Sequence, residues 1–211
     1  MTKHTVFSSL FVFFLAISVS PFLQGCLPLA ATGVAAGVYV ASDRRTTGTY
    51  IEDQSIESRA SSRLREANLA SQSRIRVISY NRYVLVVGQV PSEEIRHAAI
   101  EIIRRVENVR GVYNELTIGP SSAFSVRTSD SGITASVKKR LSSDRNVTAR
   151  DINVTTEAGV VYLMGLVTRA EGNAAADVAS TTRNVIRVIR LFEYLTGEEA
   201  QTIDAQQAES Y

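Results

Sequence analysis

Two stretches of the chain run through the same succession of hydrophobic periods. Ile56, Ala60 and Leu64 recur every four residues, the spacing that lays one apolar stripe along a helix, and Ile133, Val137 and Leu141 do the same. After each stripe comes an alternating run, residues 75–79 and 152–156, which predicts a strand with one covered face. A two-residue break, Asn81-Arg82 or Ala158-Gly159, then predicts a tight hairpin into residues 83–90 or 160–167. This second strand is apolar almost throughout, which suits a central position, and it holds Gly88 or Gly165 where a close backbone or helix approach leaves no room for a side chain. Pro91-Ser92-Glu93-Glu94 signals the start of another helix, with Ile95, Ala98, Ala99, Ile102, Ile103 and Val106 as its stripe. A last strand is predicted over residues 110–118 and again over 187–195.

The two stretches are an internal repeat. From Ile56 to Ala99 the small and apolar positions meet similar residues 77 positions later, Gly88 falling on Gly165 and Ala98-Ala99 on Ala175-Ala176, and after the second helix the spacing slips to 76. The expected fold class is α+β, two tandem small αββαβ domains, each a three-stranded mixed sheet covered by two helices. The hairpin makes the first two strands antiparallel, and the crossover through the second helix makes the third parallel to the second. Helices cover only one face of such a sheet, and about 70 residues give a modest core, so the two copies are expected to pack on one another.

Composition narrows the function. With 45% hydrophobic and 21% charged residues the chain is an ordinary globular protein, and a net charge of +2 lacks the strong basic excess of a nucleic-acid binder. One cysteine cannot close an internal disulfide, and two histidines, one at position 4, leave little for a zinc site or a histidine-dependent catalytic centre. No nucleophile elbow or phosphate-cradling loop is present. The expectation is therefore a protein that is not an enzyme and needs no cofactor.

At the N-terminus Lys3 and His4 precede an apolar run from Val6 to Val19, which Pro21 follows. The run is shorter than the ~20 apolar residues of a spanning helix and reads as a secretory signal. Leu23-Gln24-Gly25-Cys26 resembles the lipobox of bacterial lipoproteins, which implies cleavage before Cys26 and covalent N-acyl and S-diacylglycerol groups on it. The other reading is a signal cut elsewhere, with Cys26 left as a free or intermolecularly paired thiol. Multiple acyl chains would anchor stably, since each buried CH₂ adds ~0.8 kcal/mol. Leu27 is not the Asp that retains enteric lipoproteins at the inner membrane, so the implied address is the outer membrane, facing the periplasm. The Ala/Gly/Thr-rich residues that follow read as a tether, or as a segment packed on the membrane or a partner.

Val-Gly-x-Val at 87–90, the helix ending near Asn108-Val109-Arg110-Gly111-Val112, and the following strand resemble the BON domain, a module of periplasmic and osmotically regulated bacterial proteins. With a lipobox and two copies, residues 22 to 195 resemble the dual BON-domain outer-membrane lipoproteins of enteric bacteria. The stretches 111–115 (GVYNE), 154–157 (VTTE) and 162–168 (YLMGLVT) carry most of the likeness. It implies a protein that binds phospholipid, supports outer-membrane integrity, and associates with division sites and the barrel-assembly machinery. The expected division is an export signal over 1–25, a lipidated tether over 26–47, BON domains over 48–119 and 129–196, a linker over 120–128 and an acidic tail over 197–211.

Charge singles out the second domain. Residues 127–196 hold ten Lys/Arg against seven Asp/Glu, whereas 46–119 hold ten against nine and 197–211 none against four. Gly132, Ile133, Val137, Lys138, Lys139, Arg140 and Leu141 form a small basic amphipathic helical surface, of the kind that lies at anionic headgroups. It reads equally as the solvated face of a helix whose stripe is core. Enteric members carry an aromatic residue at the start of this helix, where this chain has Gly132, so that membrane insertion here is either shallower or uses Phe124 or Tyr162, which read otherwise as packed in the core or linker. The competing functional class is a protein-interaction scaffold for envelope or barrel-assembly machinery, with lipid contact incidental.

Overall fold

A computed structural model of the chain describes residues 43–71 and 73–209; the export signal, Cys26 and the tether up to residue 42 lie outside the described residues. The first repeat forms α1 (Thr47–Glu66), β1 (Arg74–Tyr80), β2 (Tyr83–Val90), α2 (Glu93–Arg104) and β3 (Gly111–Ile118). The second forms α3 (Phe124–Ser143), β4 (Ile152–Glu157), β5 (Val160–Thr168), α4 (Arg169–Ser180) and β6 (Arg187–Leu195), and a further helix α5 (Gly197–Glu209) follows. Strand orders are β1-β2-β3 and β4-β5-β6, each with an antiparallel first pair and a parallel second pair. The chain is thus an α+β protein of two mixed three-stranded sheets.

Each hairpin closes on two left-handed residues, Asn81 (φ 50°) and Arg82 (φ 66°) or Ala158 (φ 50°) and Gly159 (φ 75°), the type I′ geometry that matches strand twist. Asn81 and Gly159 tolerate positive φ, whereas Arg82 and Ala158 carry side chains that disfavour it. The compensation comes from the preceding helix. Asp53 on α1 accepts from the Asn81 and Arg82 amides at 2.8 and 2.7 Å, and Asp130 on α3 accepts from the Ala158 and Gly159 amides, both at 2.9 Å. Both carboxylates are buried, and they stand 77 residues apart, in the register of the repeat.

Alternation along the central strands explains why they are apolar throughout. Val84, Val86 and Val90 pack with Ile56, Ala60, Leu64 and Ile103 under the helices of the first domain, while Val161, Leu163 and Val167 pack with Ile133, Val137 and Leu141 in the second. The intervening residues, Leu85 and Val87 on β2 and Tyr162, Met164 and Leu166 on β5, meet in a third cluster shared by the two sheets. The layers therefore run helices, sheet, sheet, helices. Neither sheet has a helix on its second face, and burying each Val or Leu there stabilises by about 1.5–3 kcal/mol.

Some local expectations are corrected. The repeat slips to 76 before the second helix, not after it. Ser92 caps α2 and Thr168 caps α4, and the buried Ala99 and Ile103 match Ala175 and Ala179, which leaves Ala98 exposed and puts Ile100 inside. The extra residue is in Pro91-Ser92, where the second copy passes straight from strand to its Thr168–Glu171 capping box. Helix α3 begins at Phe124, inside the stretch read as a linker. The acidic tail, for which the sequence leaves helix and mobile chain both open, is helical over Gly197–Glu209, with Ala200 buried.

Candidate functional site

Helix α3 covers the sheet of the second domain through Asp130, Ile133, Val137 and Leu141, spaced three or four apart and all buried. Ile133, Val137 and Leu141 are 4%, 0% and 1% exposed, so their part in a lipid-facing surface is corrected: they are core, because the sheet has no other cover at that place. Gly132, Lys138, Lys139 and Arg140 are exposed. At 100° per residue, Lys138 and Lys139 leave the helix toward different flanks. Lys138 lines a cleft of about 410 Å³ with Arg74, Arg76 and Arg127. Lys139 and Arg140 line a second, of about 440 Å³, with Ser136, Ser143 and Asp144. Arg140 is steadied by Thr182 Oγ1 at 2.8 Å and Thr181 Oγ1 at 2.9 Å, beyond the end of α4.

The two aromatic candidates separate. Tyr162 is buried between the sheets, its hydroxyl donating to Glu115 Oε2 at 3.4 Å, and burial pushes its pKa up to about 12. It is not available to a membrane. Phe124, in the first turn of α3, is 75% exposed, with the Arg127 guanidinium 5.5 Å from its ring centroid. His97 is exposed and pairs with Glu93 at 2.9 Å, a surface position. Among the described residues no cluster of His, Cys, Asp or Glu suits a metal ion, and no helix is long and apolar enough to cross a membrane.

A set of buried and half-buried charges also exists that the hydrophobic pattern does not reveal. Arg44 is 6% exposed and uses all five of its N–H groups. Nε and Nη2 donate to Asp204 at 3.0 and 2.9 Å, Nη1 and Nη2 to Glu171 at 2.8 and 3.1 Å, and Nη1 also to the Leu166 carbonyl at 3.1 Å. Its backbone amide donates to Asp151 at 3.0 Å. Arg45, the next residue, turns into the first domain: it donates to Asp53 at 2.8 Å and lies 4.0 Å over the Tyr80 ring. Tyr80 in turn donates across the sheets to the Asp151 carbonyl at 2.9 Å. Residues 43–45 are therefore bonded to both domains and to α5, where Gln207 donates to the Asp43 carbonyl.

The carboxylates around Arg44 respond to pH in opposite directions. Burial pushes Asp151 up to about 6, against which the Arg44 amide and guanidinium pull only partly. Burial also raises Glu171, but bonds from Arg44, the Thr168 amide and Thr148 outweigh it and bring the group down to about 2. For Asp151 the folded value exceeds the unfolded one, so its protonation stabilises fully below about pH 4 and that stability is lost as pH rises through 6. Glu171 stabilises above about pH 4.5, and the gain is lost as pH falls toward 2. Thermal melts are expected to rise by several degrees from pH 7.5 to about 5 and to fall again below about 4. Asp151→Asn is expected to flatten the upper limb; an unchanged upper limb in that variant would assign it to another group.

Residues 52–120 and 129–196 both match the BON domain. The outer membrane lipoprotein DolP of Haemophilus influenzae is 41% identical over 175 residues, which span 82% of this chain and 91% of that protein. A 21 kDa hemolysin of Actinobacillus pleuropneumoniae is 34% identical over 72% of this chain and 79% of its own length. Osmotically-inducible protein Y of Escherichia coli is 27% identical over 73% of this chain and 78% of its own.

Proposed function

The chain belongs to the BON-domain family, with two copies of the domain, and from that premise we propose that it is a non-enzymatic outer-membrane lipoprotein that holds anionic phospholipid against its second domain and so helps keep the outer membrane intact. The anchor is Cys26, as the lipobox-like Leu23-Gln24-Gly25 before it suggests, and the name of the Haemophilus influenzae relative agrees with that address. The observation that carries the lipid reading is the outer face of α3. Lys138, Lys139 and Arg140 are exposed there, and none of them pairs with a carboxylate among the described residues. Phe124, in the first turn of the same helix, supplies an exposed apolar contact. Attraction of this kind is weak by itself, at ~1 kcal/mol per basic residue, but an anchor in the same membrane raises the local concentration of the surface without any new contact.

The test is sedimentation of the mature chain carrying Cys26→Ser with phosphatidylcholine vesicles and with vesicles containing phosphatidylglycerol. Salt-sensitive binding to the anionic vesicles only is expected, and changing Lys138, Lys139 and Arg140 together to serine should weaken it roughly a hundredfold. No binding by either protein would leave the acyl anchor as the only membrane contact and favour an envelope scaffold with protein partners.

A further inference from the structure

The cleft on the Lys138 side of α3 is not made by the second domain alone. Its opposite wall is β1, the edge strand of the first domain, which contributes Arg74 and Arg76. We infer that this seam between the domains is a phosphate site for the headgroup of an anionic phospholipid, so that lipid recognition needs both domains docked; this rests on the lipid reading above and names the group recognised.

Four cations, Arg74, Arg76, Arg127 and Lys138, converge on a space of about 410 Å³, the size of a small-ligand cleft. The two carboxylates near them do not balance their charge. Glu157 is 4% exposed; Arg74 and Gln89 donate to one of its oxygens and Arg76 stands 3.5 Å from the other, so that two arginines share one negative charge. Asp130, the lining carboxylate, is buried and accepts from the Ala158 and Gly159 amides of the hairpin. Arg127 has no carboxylate partner; it bonds the Ser122 carbonyl at 3.4 Å and stacks on Phe124. The cleft therefore carries surplus positive charge presented as arginine forks, which match the paired oxygens of a phosphate.

One feature suits the headgroup and a second selects a lipid over a soluble phosphate ester. Hydroxyls of Ser131 and Thr134 line the cleft and suit a polyol headgroup. Arg127 links the cleft to the exposed Phe124 ring, an apolar neighbour that only a ligand with acyl chains would use.

The experiment uses the mature chain with Cys26→Ser and three probes: dihexanoyl phosphatidylglycerol below its micelle concentration, glycerol phosphate, and phosphatidylglycerol vesicles. The short-chain lipid should shift the backbone amides of Ser131, Thr134 and Thr156 and do so more strongly than glycerol phosphate. The pair Arg76→Gln and Arg127→Gln, both at partly exposed positions, should abolish these shifts and weaken vesicle binding about tenfold, with the melting temperature retained. Lys139→Ser with Arg140→Ser should leave the shifts in place. Vesicle binding that survives the Arg76/Arg127 pair but is lost in the Lys139/Arg140 pair would overturn the seam site while sparing the lipid reading. Shifts with glycerol phosphate but no vesicle binding would overturn the lipid reading and with it the choice of a lipid headgroup.

Discussion

Arg44→Met is expected to lower the unfolding midpoint by about 10 °C or more at neutral pH. The guanidinium is buried against Asp151, Glu171 and Asp204, and its removal leaves three carboxylates facing one another with only the exposed Arg150, 4.0 Å from Asp151, as a counter-charge. Breaking a buried pair from one side costs about 3–5 kcal/mol, and a domain pair of this size loses about 2–4 °C for each. The effect should also be local. Asp204 is on α5 and Gln207 of the same helix holds the Asp43 carbonyl, so both residues 43–45 and α5 should become open to proteolysis before the sheets do. A midpoint within 3 °C of wild type, with the cleavage pattern unchanged, would mean that the network is filled by water or neutralised by protonation at little cost. Arg44 and Arg45 fasten the start of the described chain to both domains, so their loss should also loosen the link between the domains and the anchor proposed at Cys26.

Gly88→Ala is the second large effect, expected to cost about 3 kcal/mol or more, read as a shift in the urea midpoint. Gly88 has φ +126°, and a Cβ built there would lie 1.8 Å from the Arg74 carbonyl oxygen on the paired strand. Relief requires β1 to move away from β2, and β1 carries Arg74 and Arg76, one wall of the seam cleft. Gly165, its counterpart 77 residues on, has no positive φ, and its Cβ would meet the Asp151 carbonyl oxygen at 2.5 Å. Gly165→Ala should therefore be the milder change. Finding the reverse order would show that the turn before β4, held by Tyr80 and Arg44, yields less than the edge strand does.

The repeat, the element order and the identity of the core were legible because each depends on local period. Ile133, Val137 and Leu141 show their helix by spacing alone, and the unbroken apolar runs of β2 and β5 carry the mark of burial on two faces. The one-residue slip in register was visible too, but it was assigned after α2 rather than before it. Alanine pairs match at either spacing, and only the buried faces of Ala99 and Ala175 decide. Asp53 and Asp130 could have been found, since they share the 77-residue register and precede the hairpins by 28 residues. Polar matches of this kind are easily passed over in a search for apolar ones.

What the sequence determined by itself was the two copies, their α+β class and the basic excess of the second domain. These follow from short-range spacing and composition, which survive without knowledge of the partners. Tertiary structure alone decided which side chains meet between the two copies, that the apolar stripe of α3 is core while Lys138, Lys139 and Arg140 are exposed, and that Arg44 gathers carboxylates from positions 151, 171 and 204. It also placed Arg74 and Arg76 of one domain across from Lys138 of the other. Such meetings join residues more than 60 positions apart, and their energy lies in desolvation and geometry, neither of which has a period along the chain.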